Sequence, residues 1–182
     1  FLKSLNLIKK LKLKNKNILI FFNYIPELNN FLLWVQQLFA ESLGKNKKGF
    51  IPVISNAPKD HHSLMQLYLD GPKDKFFYVF SSKTNNYFKF DYKTFGEKVK
   101  YLNKKIYEQI KNSQKKAFVE VLKINKIPYR EFKINSFDEK TIGDLFLLFI
   151  FETILMAKLM KVDAFDQPAV EKVKILTKKF LT

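Results

Sequence analysis

Three short apolar segments and a fourth, half-exposed one alternate with stretches of helical spacing along this chain. The segments are NILIFF (17–22), GFIPVI (49–54), KFFYVF (75–80) and YREFKI (129–134), and each has the length of a β-strand. Two parallel strands must be joined by a crossover that returns to the starting edge of the sheet, and this crossover usually contains a helix. Strands separated by helices therefore predict an α/β fold with a parallel sheet and helices on both of its faces.

The clearest predicted helix runs from about Pro26 to Leu43. Proline suits the first turn of a helix, and Gly44 suits the position after the last turn. The segment from Glu139 to Met160 is apolar nearly all round, which predicts a helix buried in the protein. Further helices are predicted at about 2–13, 61–69, 103–125 and 167–180.

The chain is strongly basic, with a formal net charge of +16. Such a charge is typical of nucleic-acid-binding proteins. Of the 33 basic residues, however, only Arg130 is an arginine, whereas readers of bases and phosphates favour the planar guanidinium. A solvated lysine surface explains the charge, and we expect no nucleic-acid partner.

Other classes of protein are excluded by what the sequence lacks. The chain has no cysteine, which fits a reducing compartment such as the cytoplasm, where we expect it to act. The apolar run Leu145–Phe151 is far shorter than the roughly 20 residues of a membrane span. We therefore expect no membrane association. The sequence also contains no GxGxxG, Walker or HExxH motif, so we expect no metal and no cofactor.

Glu41 is the first candidate for chemistry, in the segment WVQQLFAESLGK (34–45). It lies where its predicted helix is about to end, beside the negative end of the helix dipole. That field favours the protonated form of a carboxyl group, a property suited to a general base near neutral pH. A surface glutamate without a function is the alternative.

His61 and His62 are the only histidines, and they follow Asp60 directly after a strand and its loop. Loops at the carboxyl ends of parallel strands are where ligands usually bind, and a histidine there can accept or donate a proton near neutrality. The alternative is a solvated or helix-capping pair. Adjacent histidines on a helix cannot both face one site, so a metal centre is not expected.

The segment FDQPAVEKVK (165–174) begins a predicted helix, with Asp166 before Pro168 as an N-cap signature. Gln167 and Lys174 are seven residues apart and so share one helix face. A capped amphipathic helix explains most of this pattern. The segment SSKT (81–84) follows a predicted strand and could suggest phosphate binding, but no clear helix start follows it.

Three blocks together resemble the C-terminal half of glucose-6-phosphate isomerases of the shorter bacterial form. In order and spacing they are WVQQLFAESLGK (34–45), PKDHHSLMQLYLDGP (58–72) and VDAFDQPAVEKVK (162–174). The resemblance implies the second of two sugar isomerase (SIS) subdomains, a three-layer α/β/α sandwich on a parallel sheet. The expected organisation is an N-terminal helix at 1–16 leading from a missing first subdomain, the SIS subdomain at 17–165, and a C-terminal helix at 166–182.

The resemblance also implies roles for individual residues. Members of this family interconvert glucose 6-phosphate and fructose 6-phosphate, in glycolysis and gluconeogenesis, through a cis-enediolate and without a metal. Glu41 matches the catalytic base, and Gln37 and Gln167 match glutamines that contact the substrate. His62 matches the ring-opening histidine, which in the family reaches the active site of the neighbouring subunit, so a homodimer is implied. Lys174 matches a lysine that assists ring opening.

Two parts of the family's active site are not found in this sequence. The phosphate-binding loop of serines and threonines, and the glycine–arginine motif that stabilises the enediolate, belong to the first subdomain. SSKT mimics part of that loop, but Tyr87 stands where its second threonine should be. Because such anchors each supply several kcal/mol to a reaction, we expect this chain alone to be inactive. A non-catalytic module that binds a phosphosugar is the alternative function.

Overall fold

The computed structural model describes residues 16–82 and 89–182 of the chain. Within them, four parallel strands form one sheet: β1 (Ile18–Asn23), β2 (Ile51–Asn56), β3 (Lys75–Ser82) and β4 (Tyr129–Ile134). The strand order is β2-β1-β3-β4. The longest strand, β3, is buried along its whole length, as expected of a central strand covered on both faces.

Six α-helices accompany the sheet in the described residues. They are α1 (Asn29–Leu43), α2 (Lys59–Ser63), α3 (Met65–Asp70), α4 (Tyr107–Ile124), α5 (Glu139–Met160) and α6 (Pro168–Leu181). Short 3-10 turns occupy Pro26–Leu28, Tyr92–Thr94 and Glu97–Leu102.

Successive side chains of each strand point to opposite faces of the sheet and build two separate cores. On one face, Phe21 and Tyr78 pack with apolar residues of α1 and α5. On the other, Phe22 and Phe77 pack with Tyr68 of α3 and with residues of α4. These two cores confirm the predicted three-layer α/β/α sandwich on a parallel sheet.

Several predicted boundaries were wrong by a few residues or more. The second strand is Ile51–Asn56 rather than 49–54, and its proline is tolerated because β2 lies at the edge of the sheet. The predicted helix at 61–69 is two short helices that meet at Leu64. The helix predicted at 103–125 begins only at Tyr107. The predicted helix at 2–13 and most of the domain 1–16 lie outside the described residues.

The prediction that the helix Glu139–Met160 is buried is wrong for one side of α5. Leu145 and Phe149 lie in the core, whereas Leu147 and Phe151 on its outer face are about half exposed. Helix α6 has no buried residue at all and exposes Val173, among other apolar side chains. These two helices, which are consecutive in the sequence, therefore present apolar surface to solvent. Such surface is the kind that marks an interaction site.

Across residues 16–82 and 89–182, no helix combines the length and the apolar character needed to cross a membrane.

Candidate active site

The candidate residues lie at two opposite ends of the parallel sheet. We call the end formed by the amino ends of the strands the amino edge, and the end formed by their carboxyl ends the carboxyl edge. Helix α1 leaves the carboxyl end of β1 and returns to the amino end of β2, so its last turns, with Glu41, lie at the amino edge of the sheet. Helix α5 likewise starts after the carboxyl end of β4 and returns to the amino edge, where the segment leading to Gln167 begins. The two segments meet there although they are far apart in sequence.

Glu41 is held there by two glutamines. Gln37, one turn earlier on α1, donates from Nε2 to Oε1 of Glu41 at 2.9 Å. Gln167 donates from Nε2 to the other oxygen, Oε2, at 2.8 Å. All three side chains are exposed, so a ligand can reach the carboxylate. The structure thus brings together three of the five predicted site residues.

Two lysines fasten the segment that carries Gln167 to the end of α1. Lys45, with a side chain only 8% exposed, lies 2.8 Å from the carboxylate of Asp166 and also donates to the carbonyl oxygen of Asp163. Lys48 donates to the carbonyl oxygen of Met160 at 2.8 Å. These contacts fix the position from which Gln167 reaches Glu41.

Lys45 is a positioning residue that the residue patterns did not identify. It is the last residue of WVQQLFAESLGK, and its partner Asp166 lies in FDQPAVEKVK. The opposite charges of these two residues were the only sequence signal that the two blocks form an ion pair. The N-cap prediction for Asp166 is wrong: the N-cap of α6 is Gln167, without a side-chain bond. Asp166 is instead engaged by Lys45.

Lys174 is not brought to Glu41 within the chain. Seven helical residues from Gln167 correspond to about 10 Å along the axis of α6. Its ammonium group lies 2.7 Å from Glu171, and both side chains are more than half exposed. The described residues therefore leave Lys174 on a solvated helix, where such an ion pair contributes little.

His62 lies at the opposite edge of the sheet from Glu41. It belongs to α2, which follows the carboxyl end of β2, and its side chain is exposed. A strand of six residues is about 20 Å long. Glu41 and His62 of one chain therefore cannot contact the same small substrate.

His61, in contrast, is part of the packing. Its Nε2 is 2.6 Å from the hydroxyl oxygen of Tyr24, and its ring packs edge-on against Phe22 and Phe118. Burial lowers the pKa of His61 below the usual value, because desolvation disfavours the charged ring. Of the two histidines, His62 has the exposed side chain and His61 is partly buried.

Helix α2 is fixed by a buried carboxylate that sequence patterns did not single out for this purpose. Asp60, 5% exposed, accepts from the backbone N–H of Asn56 at 2.7 Å and from the hydroxyl of Ser63 at 2.9 Å. These bonds tie the start of α2 to the end of β2. They hold the turn on which His62 stands.

No cluster of three or more His, Asp or Glu side chains suitable for a metal ion occurs in residues 16–82 and 89–182. The chain has no cysteine that could add a thiolate ligand. Glu41 itself offers a carboxylate with two amide donors: the carboxylate can accept a proton, and the amides can donate hydrogen bonds to oxygens of a ligand.

The fold has close counterparts among solved structures. A hypothetical protein from Thermus thermophilus superposes with a TM-score of 0.82 at 26% identity, over 96% of this chain and 44% of that one. A glucose-6-phosphate isomerase from Chlamydia trachomatis superposes with a TM-score of 0.68 over 91% of this chain and 34% of that one. At 15% identity, the second match shows a common fold.

Sequence relatives identify the family. No family model matches the chain. It is 35% identical over 170 residues to a probable glucose-6-phosphate isomerase from Methanococcus maripaludis, covering 93% of this chain and 38% of that protein. It is also 35% identical over 164 residues to the glucose-6-phosphate isomerase of Methanocaldococcus jannaschii, covering 88% and 40%. By this identity the chain belongs to the glucose-6-phosphate isomerase family, in which it spans 38–40% of the length of these relatives.

Proposed function

We propose that this chain is the part of a glucose-6-phosphate isomerase that supplies the catalytic base. The proposed reaction interconverts glucose 6-phosphate and fructose 6-phosphate, as a step of glycolysis and gluconeogenesis in the cytoplasm. The observation that carries the proposal is Glu41, an exposed carboxylate whose two oxygens are each held by a separate glutamine. A module that only binds a phosphosugar has no need of a carboxylate oriented in this way.

Glu41 is proposed to move one proton between neighbouring carbons of the open-chain sugar. Its carboxylate takes the proton from C2 of the aldose, which leaves a cis-enediolate, and returns the proton to C1 to give the ketose. Hydrogen bonds from Gln37 and Gln167 fix the orientation of the carboxylate. Both amides are also placed to donate to sugar oxygens once a substrate lies against Glu41.

The positions of Glu41 and His62 support a homodimer. The two residues lie at opposite edges of one sheet, so ring opening by His62 at the Glu41 site requires a second copy of the chain. His62 is exposed on a turn that Asp60 holds in place, as a residue that reaches into a neighbour must be. We propose that His62 of one subunit serves the Glu41 site of the other.

The proposed domain boundaries remain 17–165 for the SIS subdomain and 166–182 for the C-terminal helix. Helix α6, which lies within the second range, has no buried residue, and α5 exposes apolar side chains such as Phe151. A subdomain supplying the phosphate site would cover such surfaces. In that assembly, Lys174 is proposed to face the substrate with Gln167 and to assist ring opening.

A chimaeric enzyme tests the proposed function. The part of the Methanocaldococcus jannaschii isomerase that aligns with this chain is replaced by the chain, and conversion of fructose 6-phosphate is followed in a coupled assay. We expect the chimaera to be active and the 182-residue chain alone to be inactive, because the expected phosphate and enediolate anchors lie outside it. A folded chimaera that binds the substrate without converting it would favour the non-catalytic module.

His62→Ala in the chimaera is expected to slow turnover of the cyclic sugar phosphate more than that of the open-chain form. The proposed role of His62 is proton transfer in ring opening, which the open-chain form does not need, and such transfer typically contributes about 10²–10⁴-fold. Pre-steady-state assays of the two forms measure the difference. Ser113→Ala, on the exposed side of α4, is the control. Equal slowing of both forms would remove His62 from ring opening.

A further inference from the structure

The sheet has two outer strands, β2 and β4, and each of them pairs with only one neighbour. Every second residue of such a strand turns its backbone N–H and C=O groups away from the sheet, where a further strand can bond to them. The two outer strands of this chain differ in how many of these groups they leave unpaired.

Strand β2 is largely closed to a further strand. Its outward residues are Pro52, Ile54 and Asn56. Pro52 has no N–H, and its carbonyl oxygen accepts from Nε2 of Gln36 at 2.8 Å. The N–H of Asn56 donates to the carboxylate of Asp60 at 2.7 Å. Among the described residues of β2, only Ile54 therefore keeps both of its outward backbone groups unpaired.

Strand β4, in contrast, is open along its length. The N–H of Phe77 in β3 donates to the carbonyl oxygen of Pro128 at 3.0 Å, so Tyr129, Glu131 and Lys133 turn their backbone outward. Their three N–H and three C=O groups have no partner in the part of the chain that the structure describes. No proline interrupts the strand, and none of the three side chains is buried. A further strand can therefore add to β4.

The side chains of β4 indicate what such a strand carries. Phe132 and Ile134 lie in the core with residues of α5, so apolar side chains would continue this face. On the other face, Glu131 forms an ion pair with Lys115 of α4 at 3.1 Å, and Lys133 is exposed. A lysine on an outer strand often blocks pairing. Here, however, the two opposite charges match a strand with a basic residue opposite Glu131 and an acidic residue opposite Lys133.

We propose that β4 pairs with an extended strand supplied by the part of the isomerase that this chain lacks. The chain spans only 38–40% of the length of its relatives, so more than half of the polypeptide of such an enzyme lies outside it. The added strand directs apolar side chains towards α5 and charged side chains of both signs towards α4. This inference rests on the proposed function, in which the chain acts within a larger isomerase.

Hydrogen exchange in the isolated chain and in the chimaera tests this inference. Mass spectrometry at residue resolution compares the outward amides of Tyr129, Glu131 and Lys133 with the inward amides of Arg130 and Phe132. In the isolated chain, kept dilute and monomeric, we expect the outward amides to exchange freely. In the chimaera they should exchange at least about 100-fold more slowly, because an amide bonded within a sheet exchanges only when the strand opens. The inward amides should be slow in both proteins.

Glu131→Pro provides a second test, with Glu131→Ala as its matched control. Both variants lose the ion pair with Lys115, but only proline lacks the outward N–H. In the isolated chain the two variants should melt at similar temperatures, because this N–H has no partner among the described residues. In the chimaera the proline variant should melt several degrees below the alanine variant. If the proline variant does not fold alone, the exchange comparison decides, because it uses no variant.

Three results would overturn the inference. One is free exchange of the outward amides in a folded chimaera. Another is slow exchange in the isolated chain that appears as the chain dimerises, which would make a second copy the partner of β4. The third is equal melting of the proline and alanine variants in the chimaera. An inactive chimaera with slow outward amides would instead reject the proposed function while supporting the added strand.

Discussion

Glu41→Gln in the chimaeric enzyme is expected to lower isomerase turnover by about 10²–10⁴-fold, the usual contribution of a general base. The substitution keeps the size of the side chain and removes only its ability to accept the proton. One glutamine can still donate to the remaining carbonyl oxygen, and the other can turn its amide so that its oxygen accepts from the new NH2 group, so the local structure should persist. Substrate affinity, measured by calorimetry with a non-isomerised sugar phosphate, should change little.

A second measurement follows the proton transfer itself. In heavy water, the active chimaera should exchange a carbon-bound hydrogen of the sugar for deuterium, because the proton on Glu41 can escape to solvent between the two transfers. Glu41→Gln should slow this exchange by about the same factor as turnover. The matched control is Glu120→Gln, an exposed helical glutamate paired with Lys123, which should alter neither. An active Glu41→Gln variant would show that another group is the base.

The layered fold could be predicted from the sequence because local patterns and tertiary packing agree in its central elements. The apolar runs that became β1 and β3 are too short and too continuous for surface helices, and both are central strands. The predicted start of a helix was wrong where a different kind of turn comes first. Before Tyr107, for example, a 3-10 turn precedes the α-helix. Predicted burial failed for α5, because its apolar outer face is not covered by the described residues.

The candidate site could be predicted only as separate residues. Glu41 and Gln37 are one helical turn apart, so their contact follows from the sequence pattern. The contact between Glu41 and Gln167 joins residues 126 positions apart, and no local rule yields it. The ligand rule for parallel sheets correctly placed His62 at the carboxyl edge but does not apply to Glu41, which lies at the amino edge. The roles of these residues, and of Lys174, remain predictions.

One buried carboxylate was not singled out in the sequence. In the sequence, Glu152 only ends the apolar run Leu145–Phe151, yet in the structure it is 1% exposed. Its carboxylate accepts from Arg130 at 2.7 Å and from the hydroxyl of Tyr78. Burial, together with the nearby carboxylate, holds the pKa of Tyr78 well above its usual value, so this hydroxyl stays protonated and donates. The chain's only arginine thus neutralises a buried carboxylate of α5.

Arg130→Met is expected to lower the free energy of unfolding of this chain by about 3 kcal/mol, the lower end of the range for breaking a buried ion pair. The lower end applies because the Arg130 side chain is 21% exposed. Methionine keeps the apolar length that packs over Phe132, but it leaves the buried carboxylate of Glu152 with the Tyr78 hydroxyl and without its opposing charge. Urea unfolding followed by circular dichroism measures the change.

The double variant Arg130→Met/Glu152→Gln separates the cost of an unpaired charge from the value of the pair itself. Removing both charges should restore most of the lost stability, because no ion is then left without a partner in a nearly dry environment. Lys123→Met, which breaks an exposed pair with Glu120, should change the unfolding free energy by less than about 1 kcal/mol. If Arg130→Met matched that control, or if the double variant were no more stable than the single one, the Glu152 charge would not be what Arg130 compensates. Helix α5 would then be held to the sheet by its apolar contacts, such as that of Phe149 with Phe132.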